Sequence, residues 1–219
     1  MSAREDVLSR VRHALAGSAA PGPVPRDYRA AGEHPPGSPE LLDLLADRLV
    51  DYRAGVRRTA AAGLPAAVAA AVDEGLAGRD LHGEPLCLVV PPGLDRAWLA
   101  AVPGQVVVDG QDRLLGALEL DRLHGVVTGA TVAVAETGTI VLDGSADQGR
   151  RALSLVPDLH VLVVQAGQVV ATVPEALARL TPTRPLTWIS GPSATSDIEL
   201  VRVEGVHGPR SLQVVLVED

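Results

Sequence analysis

Apolar residues recur along the chain with two different periods, and the change between them divides it. In residues 2 to 16, Val7, Leu8, Val11 and Leu15 stand at spacings near ~3.6 with polar residues between them, which predicts a short amphipathic helix. Pro21, Gly22, Pro23, Pro25, Gly32, Pro35, Pro36, Gly37 and Pro39 then break residues 17 to 39 too often for a regular element, so a flexible linker is expected. From Pro39, the run Leu41, Leu42, Leu44, Leu45, Leu49 and Tyr52 predicts a helix to about Ala61. Gly63 stops it, and Pro65 opens another helix to about Leu76.

After Gly83 short β-branched runs begin to alternate with helical stretches. Leu86 to Val90, Gln105 to Val108, Val126 to Ala135, Thr139 to Leu142, His160 to Val164, Leu186 to Ser190 and Leu212 to Val217 are the predicted strands. Several are apolar at nearly every position, the mark of strands covered on both faces. Helices are predicted around Asp95 to Ala101, Leu114 to Arg122, Gln148 to Leu155 and Pro174 to Leu180. The alternation predicts an α/β domain over residues 40 to 219, with a mainly parallel sheet flanked by helices, and residues 1 to 39 as an appendage. Only Glu136, Thr137 and Gly138 separate Val132–Ala135 from Thr139–Leu142, so that pair reads as an antiparallel hairpin inserted in the sheet.

Composition narrows the chemistry. The 219 residues are 47% hydrophobic and 21% charged, enough for one sizeable core. All 19 basic residues are arginine, which excludes a Schiff-base lysine, a P-loop lysine and a lysine general base. A genome rich in G and C explains that bias without a functional reason. Phenylalanine is also absent, and Trp98, Trp188, Tyr28 and Tyr52 leave few rings for stacking bases. The single cysteine, Cys87, excludes an intrachain disulfide, a four-cysteine zinc site and an iron–sulfur cluster held by this chain alone. No histidine pair stands at helical metal-ligand spacing, so no metal site is expected. Without a signal-peptide pattern or a membrane-length apolar run, a cytoplasmic protein is expected. Net charge is −8, and residues 63 to 219 hold 10 arginines against 19 acids, a surface that repels nucleic acid.

Three loops have the composition of a ligand site. The first runs from Thr128-Gly129-Ala130 to Glu136-Thr137-Gly138-Thr139. Here Glu136 is a candidate general base, and Thr137 and Gly138 are candidate substrate contacts; a plain hairpin turn is the structural alternative. The second is Ser190-Gly191-Pro192-Ser193-Ala194-Thr195-Ser196-Asp197-Ile198-Glu199. Ser190, Gly191, Ser193, Thr195 and Asp197 are candidate binding residues there, with hydroxyls and free N–H groups suited to a carboxylate. Ser196 and Glu199 stand at capping-box spacing, so a helix start is the competing reading. The third is Gly205-Val206-His207-Gly208-Pro209, in which His207 is the acid–base candidate because glycines flank it. Arg150 and Arg151 could clamp an anion or simply stand exposed. There is no G-x-S-x-G elbow, no G-x-G-x-x-G after a strand and no P-loop.

The segments T-G-A-T-V-A-V-A-E-T-G-T-I-V-L (128 to 142), G-P-S-A-T-S-D-I-E (191 to 199) and G-V-H-G-P (205 to 209) occur in this order before a final strand. Together they resemble the LUD-domain family, and within it the stand-alone lactate-utilisation C group, over roughly residues 40 to 219. The resemblance implies a fold akin to the NagB/RpiA/CoA-transferase-like group, which includes formyltetrahydrofolate cyclo-ligase. It also implies participation in the oxidation of L-lactate to pyruvate beside two partners that carry iron–sulfur clusters, with no cofactor bound by this chain alone. Many family members carry a basic residue where Ala194 stands, so Arg210 or Arg150 would have to supply the charge for a carboxylate. Two alternatives stay open: an acyl- or nucleotide-activating enzyme like the fold relatives, and a structural subunit whose N-terminal helix docks a partner.

Overall fold

The computed structural model describes residues 2–18, 22–27, 29–81, 83–196, 202–204 and 208–218. The first helix, α1 (Ala3–Leu15), starts on a Ser2–Glu5 capping box, in which the Glu5 N–H donates to Ser2 Oγ and the Ser2 N–H to the Glu5 carboxylate. None of its residues is buried. α2 (Pro39–Asp51) opens on Ser38, whose Oγ accepts from the Leu41 N–H, with Pro39 in the first turn.

The helix expected to reach Ala61 ends ten residues earlier. Arg53 adopts φ 66°, the Ala54 N–H closes on the Leu49 carbonyl, and residues Gly55–Ala60 form a strand, β1. Tyr52 and Val56 keep an i, i+4 spacing that imitates a continuing helix. The chain reverses instead because Val56 and Thr59, β-branched, find a parallel partner in the last strand.

The later elements are α3 (Leu64–Gly75), β2 (Cys87–Val90), β3 (Gln105–Val108), α4 (Ala117–Asp121), β4 (Gly125–Thr128), β5 (Val132–Val134), β6 (Thr139–Leu142), β7 (Leu159–Gln165), β8 (Val169–Val170), α5 (Val173–Arg179), β9 (Thr187–Ile189), β10 (Ala194–Ser196), β11 (Arg202–Glu204) and β12 (Ser211–Glu218). The main sheet has six strands in the order β1-β12-β7-β4-β2-β3, and all five pairings are parallel. The α/β architecture with a mainly parallel sheet is therefore as the sequence predicts.

A second sheet, β8-β5-β6-β9, holds the antiparallel hairpin. The apolar run Val126–Ala135 is thus two strands: Gly129–Thr131 carries the chain from one sheet to the other. The helices expected at Asp95–Ala101 and Gln148–Leu155 are single 3-10 turns, Arg96–Leu99 and Arg151–Ser154. β10 and β11 pair antiparallel, Thr195 opposite Val203.

The central strands of the main sheet, β12, β7, β4 and β2, are largely apolar because both faces are packed, whereas the edge strands β1 and β3 stay partly exposed. Leu159, Val161 and Val163 of β7 join Val68 and Val72 of α3 in one cluster. Leu162 and Val164 face the other way, toward Leu45 and Leu49 of α2 and Ile140 and Leu142 of the second sheet. α5, capped by a reciprocal Thr172–Glu175 pair, covers the far face of the second sheet through Ala176. The layers are therefore helix, parallel sheet, α2 with the second sheet, and α5.

Candidate functional site

Open parallel sheets bind ligands beyond the carboxyl ends of their strands, and the chain builds a cavity there. Pro92 follows β2, Asp109 follows β3, and the segment Asp143–Arg151 following β6 arches over both. That arch is held by close backbone approaches. The Gly93 N–H donates to the Ala146 carbonyl at 2.9 Å and the Gly129 N–H to the Asp147 carbonyl at 3.0 Å. Gly149 turns at φ 69°, where a Cβ would stand 2.9 Å from Pro91 Cβ. The resulting cavity of about 560 Å³ is lined by Asp109, Ser145, Gln148, Arg150, Arg151 and Pro185 among others.

Most of its charges are already spent on one another. Asp109 is 3% exposed and accepts from Arg150 Nε at 2.7 Å, Arg150 Nη2 at 3.0 Å and the Leu115 N–H at 2.9 Å. Burial alone would raise its pKa, but the Arg150 and Leu115 hydrogen bonds outweigh it and hold the carboxyl below its usual range. Asp143 is held low in the same way: burial is outweighed by hydrogen bonds from Ser145 and Thr131 and by the charge of Arg184, 3.0 Å away. Gln148 ties the arch down by accepting from the Asp143 N–H and donating to Thr131 Oγ1. Burial pushes Asp147 upward.

A second cavity, of about 500 Å³, shares Arg151, Ser154 and Thr187 with the first, so the two are neighbouring lobes that meet at the Arg151–Ser154 turn. Its wall includes His160, Ser190, Gly191, Ser193, Pro209 and Leu212. Arg151 makes no ion pair or hydrogen bond through its guanidinium among the described residues, unlike Arg150 on Asp109, Arg184 on Asp143 and Arg210 on Asp158. His160 is 1% exposed, with Nε2 2.8 Å from Thr128 Oγ1. Burial pushes its pKa down to about 3, so the imidazole is neutral at pH 7.

The candidate residues of the three loops fall as follows. Ser190, Gly191 and Ser193 line the second lobe, and the Ser193 N–H donates to the Pro209 carbonyl, which joins the second loop to the third. Thr137 donates to Thr139 Oγ1 at 2.8 Å, and Thr139 Oγ1 lies 2.8 Å from Ser190 Oγ, so the first loop touches the second through hydroxyls. Gly138 turns at φ 59° against Arg48. Glu136 is bound by Arg29 from the N-terminal segment, with Arg29 Nη2 2.6 Å from Glu136 Oε1, and lines neither lobe. The backbone of Thr195 sits in β10. Asp197 and His207 lie outside the described residues. Arg150 and Arg210, the charges thought able to replace a basic residue at position 194, are both engaged, whereas Arg151 is available.

His160 is the residue that sequence reasoning passed over. The signal for it is a single polar side chain in an otherwise apolar run, Leu159–Val164, inside a strand buried on both faces. Among the described residues no group of three histidine, cysteine, aspartate or glutamate side chains could hold a metal ion, and no helix is long and apolar enough to cross a membrane.

The LUD domain model matches residues 118–217. The chain is 45% identical over 223 residues to lactate utilization protein C of Deinococcus radiodurans, covering 98% of this chain and 95% of the relative. The chain belongs to the LUD-domain family. A further lactate utilization protein C, from Bacillus subtilis, is 35% identical over 101 residues, 42% of either chain. A crystal structure of a DUF162 family protein from Deinococcus radiodurans superposes with a TM-score of 0.66 at 42% identity, covering 82% of this chain and 97% of that one. Within the LUD-matched segment lie Arg151, Ser154, His160 and the Ser190–Ser193 loop, whereas Pro92 and Asp109 of the first lobe precede it.

Proposed function

We propose that this LUD-domain chain takes part in lactate utilisation, and that its groove binds a small carboxylate such as lactate or pyruvate through Arg151. The near-full-length likeness to a lactate utilization protein C supports the role. The observation that carries the ligand class is the uncompensated Arg151 guanidinium between two lobes, in a region where Arg150 and Arg184 are each matched by a carboxylate. A guanidinium without a partner is a fork shaped for a carboxylate. Ser190 lies on the same wall, and its hydroxyl, 2.8 Å from Thr139 Oγ1, can still offer a hydrogen bond to another oxygen of a hydroxy acid.

Oxidising lactate to pyruvate releases two electrons and two protons. One cysteine cannot hold a thiolate-ligated cluster, so in this reading the electrons pass to iron–sulfur partner proteins and this chain binds or positions the acid. Isothermal titration with L-lactate and pyruvate tests the ligand assignment. Arg151→Gln should weaken both by about 10- to 100-fold, the worth of charge-assisted hydrogen bonds. Unchanged binding would remove Arg151 from the site. Thermal stabilisation by ATP or coenzyme A, with none by lactate or pyruvate, would favour the acyl- or nucleotide-activating alternative.

A further inference from the structure

Leu159, Val161 and Val163 of β7 point into one apolar cluster and Leu162 and Val164 into another, yet His160 interrupts the second set with a side chain that carries two polar nitrogens. Nε2 is accounted for by Thr128 Oγ1, while Nδ1 has no partner among the described residues. Among those residues, Arg57 Nε is the one sealed side-chain nitrogen or oxygen that lacks a partner. At 1% exposure His160 keeps no more than a trace of open surface, and the cavity it lines is the lobe it shares with Arg151. A buried polar atom kept partnerless at a cavity wall is a costly arrangement unless a ligand completes it.

The geometry points to His160, held by Thr128, as the group that recognises the oxygen on carbon 2 of a small 2-hydroxy or 2-oxo acid whose carboxylate is held by Arg151. This rests on the carboxylate reading of the groove and adds to it the residue that distinguishes acids by their substituent at carbon 2. A threonine hydroxyl can donate or accept, so the pair has two neutral arrangements. When Nε2–H donates to Thr128, Nδ1 accepts from a 2-hydroxyl. When the Thr128 hydroxyl donates to Nε2, Nδ1–H donates to a 2-oxo oxygen. Both members of a hydroxy acid–keto acid couple are thus accommodated at one place with no change of charge, which suits a protein that meets substrate and product of the same oxidation.

Titration calorimetry of the full chain with L-lactate, pyruvate and propionate isolates this contact, because the three share a carboxylate and a three-carbon skeleton and differ at carbon 2. The wild-type chain should bind lactate and pyruvate each about tenfold more tightly than propionate, the value of one neutral hydrogen bond. His160→Leu should erase that preference while leaving propionate affinity within about twofold, and Arg151→Gln should weaken all three alike. Thr128→Val should lose part of the preference and Thr128→Ser restore it, a pattern that general loosening of the fold would not produce. Equal binding of the three acids by the wild-type chain, or a preference that survives in His160→Leu, overturns the role of His160 and leaves the Arg151 site standing. Failure of all three to bind the wild-type chain overturns the carboxylate reading, and this inference with it.

Discussion

His160 has a consequence for stability that can be measured without any ligand. Its pKa falls from 6.5 to about 3 on folding because burial disfavours the charged ring. Below pH 6.5 the unfolded chain binds a proton there and the folded chain does not, so the contribution is fully present above that pH and is lost as pH falls toward 3. Urea unfolding of the wild type and of His160→Asn between pH 4 and 8 should show an extra slope of up to about 1.4 kcal/mol per pH unit in the wild type, confined to the acid side of ~6.5. Parallel curves would mean that the ring takes up its proton equally well in the folded and the unfolded chain. The residue scale is also where the sequence is least legible. Arg150 and Arg151 are adjacent and identical in type, and what separates them is Asp109, 41 positions earlier, which β3 delivers to Arg150 and not to its neighbour. Glu136 likewise has the character of a general base in sequence, and its pairing with Arg29, 107 positions away, depends on where the linker is laid down.

At the scale of elements, short strands rich in β-branched residues could be read from composition and their bounding turns. Gln105–Val108 and Thr139–Leu142 match the structure to the residue, because turn residues bound them and β-branched side chains fill them. The errors share a cause: a period that two structures satisfy equally. Tyr52 and Val56 fit a helix until Arg53 turns the chain, and Val126–Ala135 fits one long strand until Gly129 lets it change sheets. The arch over the first lobe depends on Gly149, which the sequence pattern places inside a helix from Gln148 to Leu155 and which instead turns at φ 69°. Gly149→Ala would place a methyl 2.7 Å from Leu153 Cδ1 and 2.9 Å from Pro91 Cβ at φ 69°, combining a left-handed backbone with a clash. Equilibrium denaturation should register a loss of about 2 kcal/mol. The same variant should bind lactate more weakly, since Arg151 begins where the arch ends. A stability within about 0.5 kcal/mol of wild type would show that the arch yields easily and is not a rigid support.

Across the whole molecule, the alternation of strand and helix was enough to place a parallel sheet between helical layers, but not the second sheet, because β8 is only two residues long and the strand expected at Leu186–Ser190 carries no sign that it pairs with the hairpin. That second sheet explains why the N-terminal region divides into two unlike parts. α1 buries none of its residues, so it adds nothing to the core. The stretch from Arg29 to Ser38 instead lies along the β8 edge: Gly32 sits so near Ala171 that a Cβ would stand 2.2 Å from its methyl, the Gly37 N–H donates to the Val169 carbonyl at 2.9 Å, and Arg29 binds Glu136. An exposed sheet edge is a pairing hazard, and this strap covers one. Two truncations should therefore behave differently. Removal of residues 2–18 should leave the thermal midpoint within about 1 °C, because no buried apolar surface is lost. Removal of residues 2–37 uncovers Val169 and Val170 and breaks the edge hydrogen bond, a loss of ~1–2 kcal/mol that at ~2–4 °C per kcal/mol should lower the midpoint by roughly 2–8 °C. Light scattering should then show the longer truncation associating through its bared edge while the shorter one stays monodisperse relative to wild type. Equal midpoints for the two truncations would mean that the strap rests on the second sheet without supporting it.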